Sequence, residues 1–186
     1  MAPAELPAPV TAKLDGFRIE WRSDPLGVTA PYPGRYRFDA PDGGYPVTYA
    51  CSSELGCFAE VFGDTKLIEE RDGERRVVRL TSRRRLRLLA LDDGATLMRL
   101  ALHARICVVR PYALPQAWSG ALHEWYPRLD GLRYVSRREP SAANVCLFLD
   151  RCKDAITVED RGRVRDDLDR LERVVDRYPI ANTLLL

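Results

Sequence analysis

The segment Val47–Gly63, VTYACSSELGCFAEVFG, most constrains what this chain can fold into, because the spacing of its apolar residues changes within it. Val47–Cys51 alternates, with Val47 and Tyr49 on one face, and reads as a strand. Ser53 then has the chemistry of a helix N-cap, and Glu54 sits favourably in the first turn. Leu55, Phe58, Ala59 and Phe62 follow at i, i+3, i+4 and i+7, which is the stripe of an amphipathic helix, and Gly63 is a good stop. On a wheel of 100° per residue Glu60 falls about 140° from Leu55, clear of the buried stripe. Its carboxylate therefore faces solvent, a partner or a pocket.

The same reading extends along the chain. Phe17–Trp21 alternates like a strand, and residues 22–34 form a loop punctuated by Pro25, Pro31 and Pro33. Arg35–Asp39 reads as a short extended segment before a PDGG turn. Arg85–Leu91 reads as a strand and Ala95–His103 as a helix. Pro115 opens a further helix at its first position, Trp118, Ala121, Leu122 and Trp125 give its apolar face, and Pro127 ends it. Leu132–Ser136 and Asn144–Leu149 are strands, the first putting Leu132, Tyr134 and Ser136 on one face and Arg133, Val135 and Arg137 on the other. Thr157–Tyr178 reads as one charged helix with Leu168, Leu171, Val175 and Tyr178 on a face. Strands mixed with helices, without regular βαβ alternation, predict an α+β architecture. The expected organisation is a flexible Pro/Ala-rich segment 1–13, one domain over 14–153, and a helical extension 154–186 packed on or beside it.

Composition excludes several function classes. A chain of 186 residues buries a core without disulfides or a structural metal. Its five cysteines set no CxxC pair, which predicts reduced thiols. Two histidines make a His-built metal site or a Ser-His-Asp triad improbable, so no metal is expected. A formal charge of +2 gives no global reason to expect nucleic acid or membrane binding. The run Arg83–Arg87, RRRLR, reads as a solvated edge or a contact with an acidic partner. No apolar stretch is long enough to span a bilayer, and the N-terminus lacks a signal-peptide pattern, so the expected compartment is the cytoplasm.

The ordered segments FRIEW, GRYRFDAPDGGYPVTYA, ELGCFAEVFGD, LRLLALDDGATLMRLALHARI and PQAWSGALHEWYPRLDGLRYVSRREPSAANVCLFLDR resemble the RES-domain family, named for an Arg, a Glu and a Ser. The resemblance runs from about Phe17 to Cys152. It implies a fold related to ADP-ribosyltransferase and diphtheria-toxin-like catalytic domains, with central mixed or antiparallel strands flanked by helices. It implies an NAD+-consuming toxin of a bacterial toxin–antitoxin pair, with an Xre-type antitoxin that carries a helix-turn-helix and a C-terminal toxin-binding domain. Carried over residue by residue, the family's motif falls on Arg18, Arg37, Tyr49, Glu60 and Ser136. GRYRF holds two arginines, and Arg37 is preferred because Phe38 and Asp39 follow it directly, with Arg35 beside it. On this reading Glu60, Arg37 and Ser136 are catalytic, and Arg18, Tyr49 and Arg35 bind NAD+.

The residue types suit that chemistry. Arginine forks match phosphate oxygens bidentately. Nicotinamide departs neutral, so no acid is needed to protonate it. A carboxylate near the anomeric carbon stabilises an oxocarbenium-like transition state or orients an attacking water. A tyrosine ring offers a stacking face, and a serine hydroxyl bonds ribose or amide. The acceptor, whether water, phosphate or a protein side chain, is left open at this level, as is a binding module without catalysis.

Overall fold

The computed structural model describes residues 5–21 and 34–185. The loop expected over residues 22–34 lies outside them except for Gly34. The elements in order are β1 (Val10–Ala12), β2 (Asp15–Glu20), β3 (Val47–Cys51), α1 (Glu54–Phe62), β4 (Leu67–Ile68), β5 (Arg76–Ser82), β6 (Leu86–Ala90), α2 (Gly94–Arg99), α3 (Ala113–Trp125), β7 (Gly131–Val135), β8 (Ala143–Phe148), α4 (Leu149–Cys152), β9 (Ile156–Arg163), α5 (Leu168–Arg177) and β10 (Ala181–Asn182). Eight strands form one sheet in the order β1-β6-β7-β8-β3-β2-β5-β9, and β10 pairs with β4 separately. Within the large sheet only β6 and β7 run parallel; the other pairs are antiparallel. This is the α+β architecture that the mixed pattern predicts. Among the described residues no helix is long and apolar enough to cross a membrane.

Strand alternation sorts the core onto two faces. Cys146, Phe148, Leu132 and Leu89 point to one face and pack with Leu97 of α2 and Leu122 of α3. On the same face, Cys51, Ile19 and Val77 pack with Phe58 and Phe62 of α1 and Leu171 and Val174 of α5. Their neighbours Ala50, Val78, Leu88, Val145 and Leu147 point the other way. The helical clusters meet over β3 and β8, and that junction carries the site.

The strand–cap–helix segment forms as its pattern predicts. The Ser53 side chain accepts from Gly56 N, and the helix ends at Gly63 in a right-handed conformation. Gly63 is required by close approach instead: a Cβ there would lie 2.3 Å from Ala59 O and 3.1 Å from the Arg138 side chain. The helix around Pro115 starts two residues earlier, at Ala113, so the proline stands within its first turn. The helix expected over Ala95–His103 stops at Arg99.

Three expectations are corrected. Residues 35–39 are turn, not extended, because the buried Asp39 carboxylate folds the chain back to accept from Tyr36 N at 2.7 Å. Residues 10–12, placed in the flexible N-terminal segment, pair with the edge of β6 and satisfy its backbone groups. Thr157–Tyr178 is not one helix. Its first part is β9, which covers the free edge of β5, and Gly162 at φ +83° breaks the run before α5. The buried face of α5 is Leu171 and Val174, while Leu168 in its first turn is exposed. The arginine run is exposed at Arg83, Arg84, Arg85 and Arg87, as expected of a solvated edge, and Arg84 also forks onto the buried Asp130 carboxylate with two bonds of 2.7 Å.

Gly131 tolerates no side chain, since a Cβ would stand 2.2 Å from the Cys146 carbonyl oxygen in the adjacent strand. Gly131→Ala is expected to destabilise by about 2–3 kcal/mol. At roughly 2–4 °C per kcal/mol for a chain of this size, thermal melting should show a drop of about 5–10 °C.

Candidate active site

A cavity of about 450 Å³ opens on the helix-bearing face between α1, β3, the turn at residues 34–39 and the segment after β7. That volume is in the range of small-molecule sites. Among the described residues Arg18, Arg35, Arg37, Arg75, Arg110 and Arg137 line it, against two carboxylates, Glu60 and Asp64. The cavity is thus strongly cationic although the chain is nearly neutral, and it suits a ligand with several negative charges.

The two carboxylates differ. Asp64, just past α1, binds Arg110 at 2.8 Å, Arg137 at 2.9 Å and also Arg138. Glu60, on the off-core side of α1, directs Oε1 to its partners in the protein. That oxygen accepts from Ser136 Oγ at 2.5 Å, Arg137 N at 3.0 Å, Asn144 Nδ2 at 3.1 Å and Arg138 N at 3.4 Å. Among the described residues no donor reaches Oε2. Four donors on one oxygen fix the side chain and leave the other oxygen for a ligand.

The arginines are held differently. Arg18 crosses the gap where β2 and β3 part after their single shared pair, bonding Thr48 Oγ1 at 2.5 Å and Glu20 at 2.9 Å. Arg37 is 9% exposed, lies over the Tyr112 ring and donates to the Val109 carbonyl at 2.7 Å. No carboxylate neutralises it among the described residues. Arg35 is exposed and lies over Tyr36. Tyr49 pins the turn that carries Arg37: its hydroxyl accepts from Phe38 N at 2.9 Å and donates to Asp39 at 2.8 Å. Burial pushes the Tyr49 phenol well above its usual range, so it remains a donor. Its ring lines the cavity edge-to-face with Tyr36.

Ser136 is 2% exposed and stands behind Glu60, off the cavity wall. β7 ends at Val135, so strand alternation does not carry through to the serine. Its hydroxyl donates to Glu60 and accepts from Glu139 N at 2.9 Å and Arg138 N at 3.3 Å, which closes the turn. For the same reason Arg137, assigned to the opposite face by alternation, reaches the cavity. Asn144, Asp64, Arg110 and Tyr112 also line the cavity and were missed. A polar residue opening the apolar run VCLF was the available signal for Asn144; the others carry none that separates them from surface residues.

Three cysteines touch the cavity, and none is poised as a nucleophile. Burial pushes the Cys51 and Cys107 thiols up to about 11, and Cys57 higher still. Among the described residues on the wall, Glu60 is the carboxylate with one oxygen fixed and the other without a donor.

The arrangement joins an arginine, a glutamate and a serine from three distant segments, and residues 14–169 match the RES domain family. This chain belongs to the RES domain family. A chain in the crystal structure of the M. tuberculosis MbcT–MbcA toxin–antitoxin complex shares the RES chain's fold, with a TM-score of 0.56 at 13% identity, covering 83% of this chain and 87% of that one. No curated protein matches the sequence. The RES match extends past residue 153 to include all of β9, the strand at the outer edge of the large sheet.

Proposed function

We propose that this RES domain is the toxin of a toxin–antitoxin pair and consumes NAD+ by breaking the bond between the nicotinamide nitrogen and ribose C1″. The observation that carries the reading is the Glu60 carboxylate, locked through one oxygen and open through the other, in a cavity that six arginines line among the described residues. The diphosphate lies against Arg37 and Arg35, whose guanidinium groups have no carboxylate partner among the described residues. Arg18 supports the wall next to α1. The Tyr49 ring offers a face to the nicotinamide or ribose. As the C1″–N bond breaks, its electron pair goes to the nicotinamide ring, which leaves neutral. Positive charge develops on C1″ and the ring oxygen, and the Glu60 carboxylate stabilises it without reorganising. Water or inorganic phosphate then forms the new C1″–O bond. Water loses its proton to Glu60 or to solvent, giving ADP-ribose; phosphate gives the 1″-phosphate. With the family we assign the fold to the ADP-ribosyltransferase-like class. The assigned partner is an Xre-type antitoxin with a helix-turn-helix, covering the cavity to protect the host from NAD+ loss.

Purified protein incubated with NAD+ should release free nicotinamide, and runs with and without phosphate should distinguish the acceptor. No release from a folded sample without antitoxin sinks the reading. Label transferred to a protein would support ADP-ribosyl transfer in its place.

On this reading Ser136 is a positioning residue. Ser136→Ala removes one of the four donors to Glu60 and the acceptor that closes the turn. It is expected to lower kcat about tenfold with KM nearly unchanged. Steady-state kinetics beside a melting curve checks this, since stability should fall by only about 1–2 kcal/mol.

A further inference from the structure

The RES match stops at residue 169, so all but the first two residues of α5 lie beyond it. That helix nevertheless grips both elements that hold Glu60. Near its start Arg170, 1% exposed, donates to Glu54 in the first turn of α1 at 3.1 Å. At its end, Arg177 donates to Glu139 Oε2 at 2.9 and 2.7 Å, and the Tyr178 hydroxyl reaches the same oxygen at 2.5 Å. Ser141 takes the other oxygen. Glu139 in turn gives its backbone N–H to Ser136 Oγ, and that hydroxyl donates to Glu60. An unbroken path of hydrogen bonds and one residue's backbone thus runs from the end of α5 to the cavity carboxylate.

We propose that Arg177 and Tyr178 are positioning residues for Glu60, acting through Glu139 and the Ser136 turn. The proposal rests on the reading of Glu60 as the catalytic carboxylate. The fold does not need this contact to seat α5. Leu171 and Val174 already pack with Phe58 and Phe62, and Arg170 is locked to Glu54. The Arg177 side chain is half exposed, and an ion pair of that kind adds little to folding. What it fixes is Glu139, only 8% exposed, in a turn otherwise tied down by Ser136 and the Ala142 N–H. Hydrogen bonds from Ser141, then Tyr178 and Arg177, hold the Glu139 carboxyl down at about 2. Its folded value is depressed, so the brace is fully formed above the ordinary carboxylate range and is lost only as pH falls towards 2. Near neutral pH a variant therefore reports geometry and not titration.

The test uses the full chain with Arg177→Ala combined with Tyr178→Phe, and Arg177→Lys alone. The double variant should release nicotinamide with kcat lowered about tenfold and KM within about twofold, while melting within about 3 °C of wild type. Arg177→Lys should recover most of the turnover. Hydrogen exchange at the Arg137 and Arg138 amides, which bond Glu60, should be about fivefold faster in the double variant. The proposal is overturned if those amides exchange as in wild type, or if kcat is unchanged despite faster exchange. It is equally overturned if the loss follows a collapse of melting temperature that Arg177→Lys does not relieve. Should wild type release no nicotinamide, the functional reading fails, and the exchange measurement alone still decides the brace.

Discussion

Glu60→Gln should lower kcat for nicotinamide release by about 10²–10³-fold, the usual loss when a preorganised electrostatic contact to the transition state is removed. Glutamine has the shape of glutamate and keeps a carbonyl oxygen. That oxygen still accepts from Ser136, Asn144 and the Arg137 N–H, so the rotamer and the turn survive. What changes is the atom at the open position, from a charged oxygen to an amide nitrogen that cannot face a developing cation. KM should move little, because the ground state of the ribose carries no charge at C1″ for Glu60 to meet. The melting temperature should stay within about 3 °C, corresponding to roughly 1 kcal/mol. Kinetics on NAD+ with a parallel melting curve decides it. Turnover retained in Glu60→Gln would remove Glu60 from the chemistry.

Arg37→Ala should act on binding. The guanidinium lies on the Tyr112 ring and reaches the Val109 carbonyl, so it is oriented before a ligand arrives. A charge-assisted hydrogen bond is worth about 1.5–3 kcal/mol, which predicts a KM for NAD+ raised about 10–100-fold. Arg37→Lys keeps the charge without the fork and should recover only part of this. Arg35→Ala should cost clearly less, because Arg35 is exposed and, among the described residues, held by its contact with Tyr36 alone. A titration of the three variants with NAD+ assigns the clamp. Equal losses at Arg35 and Arg37 would mean that the exposed residue closes onto the ligand.

Two residues of the candidate site were legible because each sits in a segment with a strong local pattern. Glu60 lies off the apolar stripe of a well-capped helix, and Tyr49 lies on the alternating strand just before it. The family motif added Arg18 and Arg37, which local patterning leaves as surface residues, and gave a role to Ser136, which alternation only sets on the face of Leu132 and Tyr134. The turn at residues 35–39 was not legible as a turn. It is made by the Tyr49 hydroxyl and the Asp39 carboxylate acting across ten residues. The segment 157–163 misled for a related reason. Its charges suit an exposed helix, but a strand is favoured where β5 offers an unpaired edge.

The sequence by itself determined the α+β class, the capped helix that presents Glu60, and the burial of the aliphatic runs, because these follow from the spacing of neighbours along the chain. Only the tertiary structure decided which polar side chains share the cavity and what each is free to do. It set Ser136 behind Glu60, brought Arg137 and Asn144 onto the Glu60 carboxylate, and tied the end of α5 to the same turn. The physical reason is that a hydrogen bond between residues 76 or 84 positions apart has no signature in local periodicity. Its geometry exists only once strands β7 and β8 pair and α1 packs across the sheet.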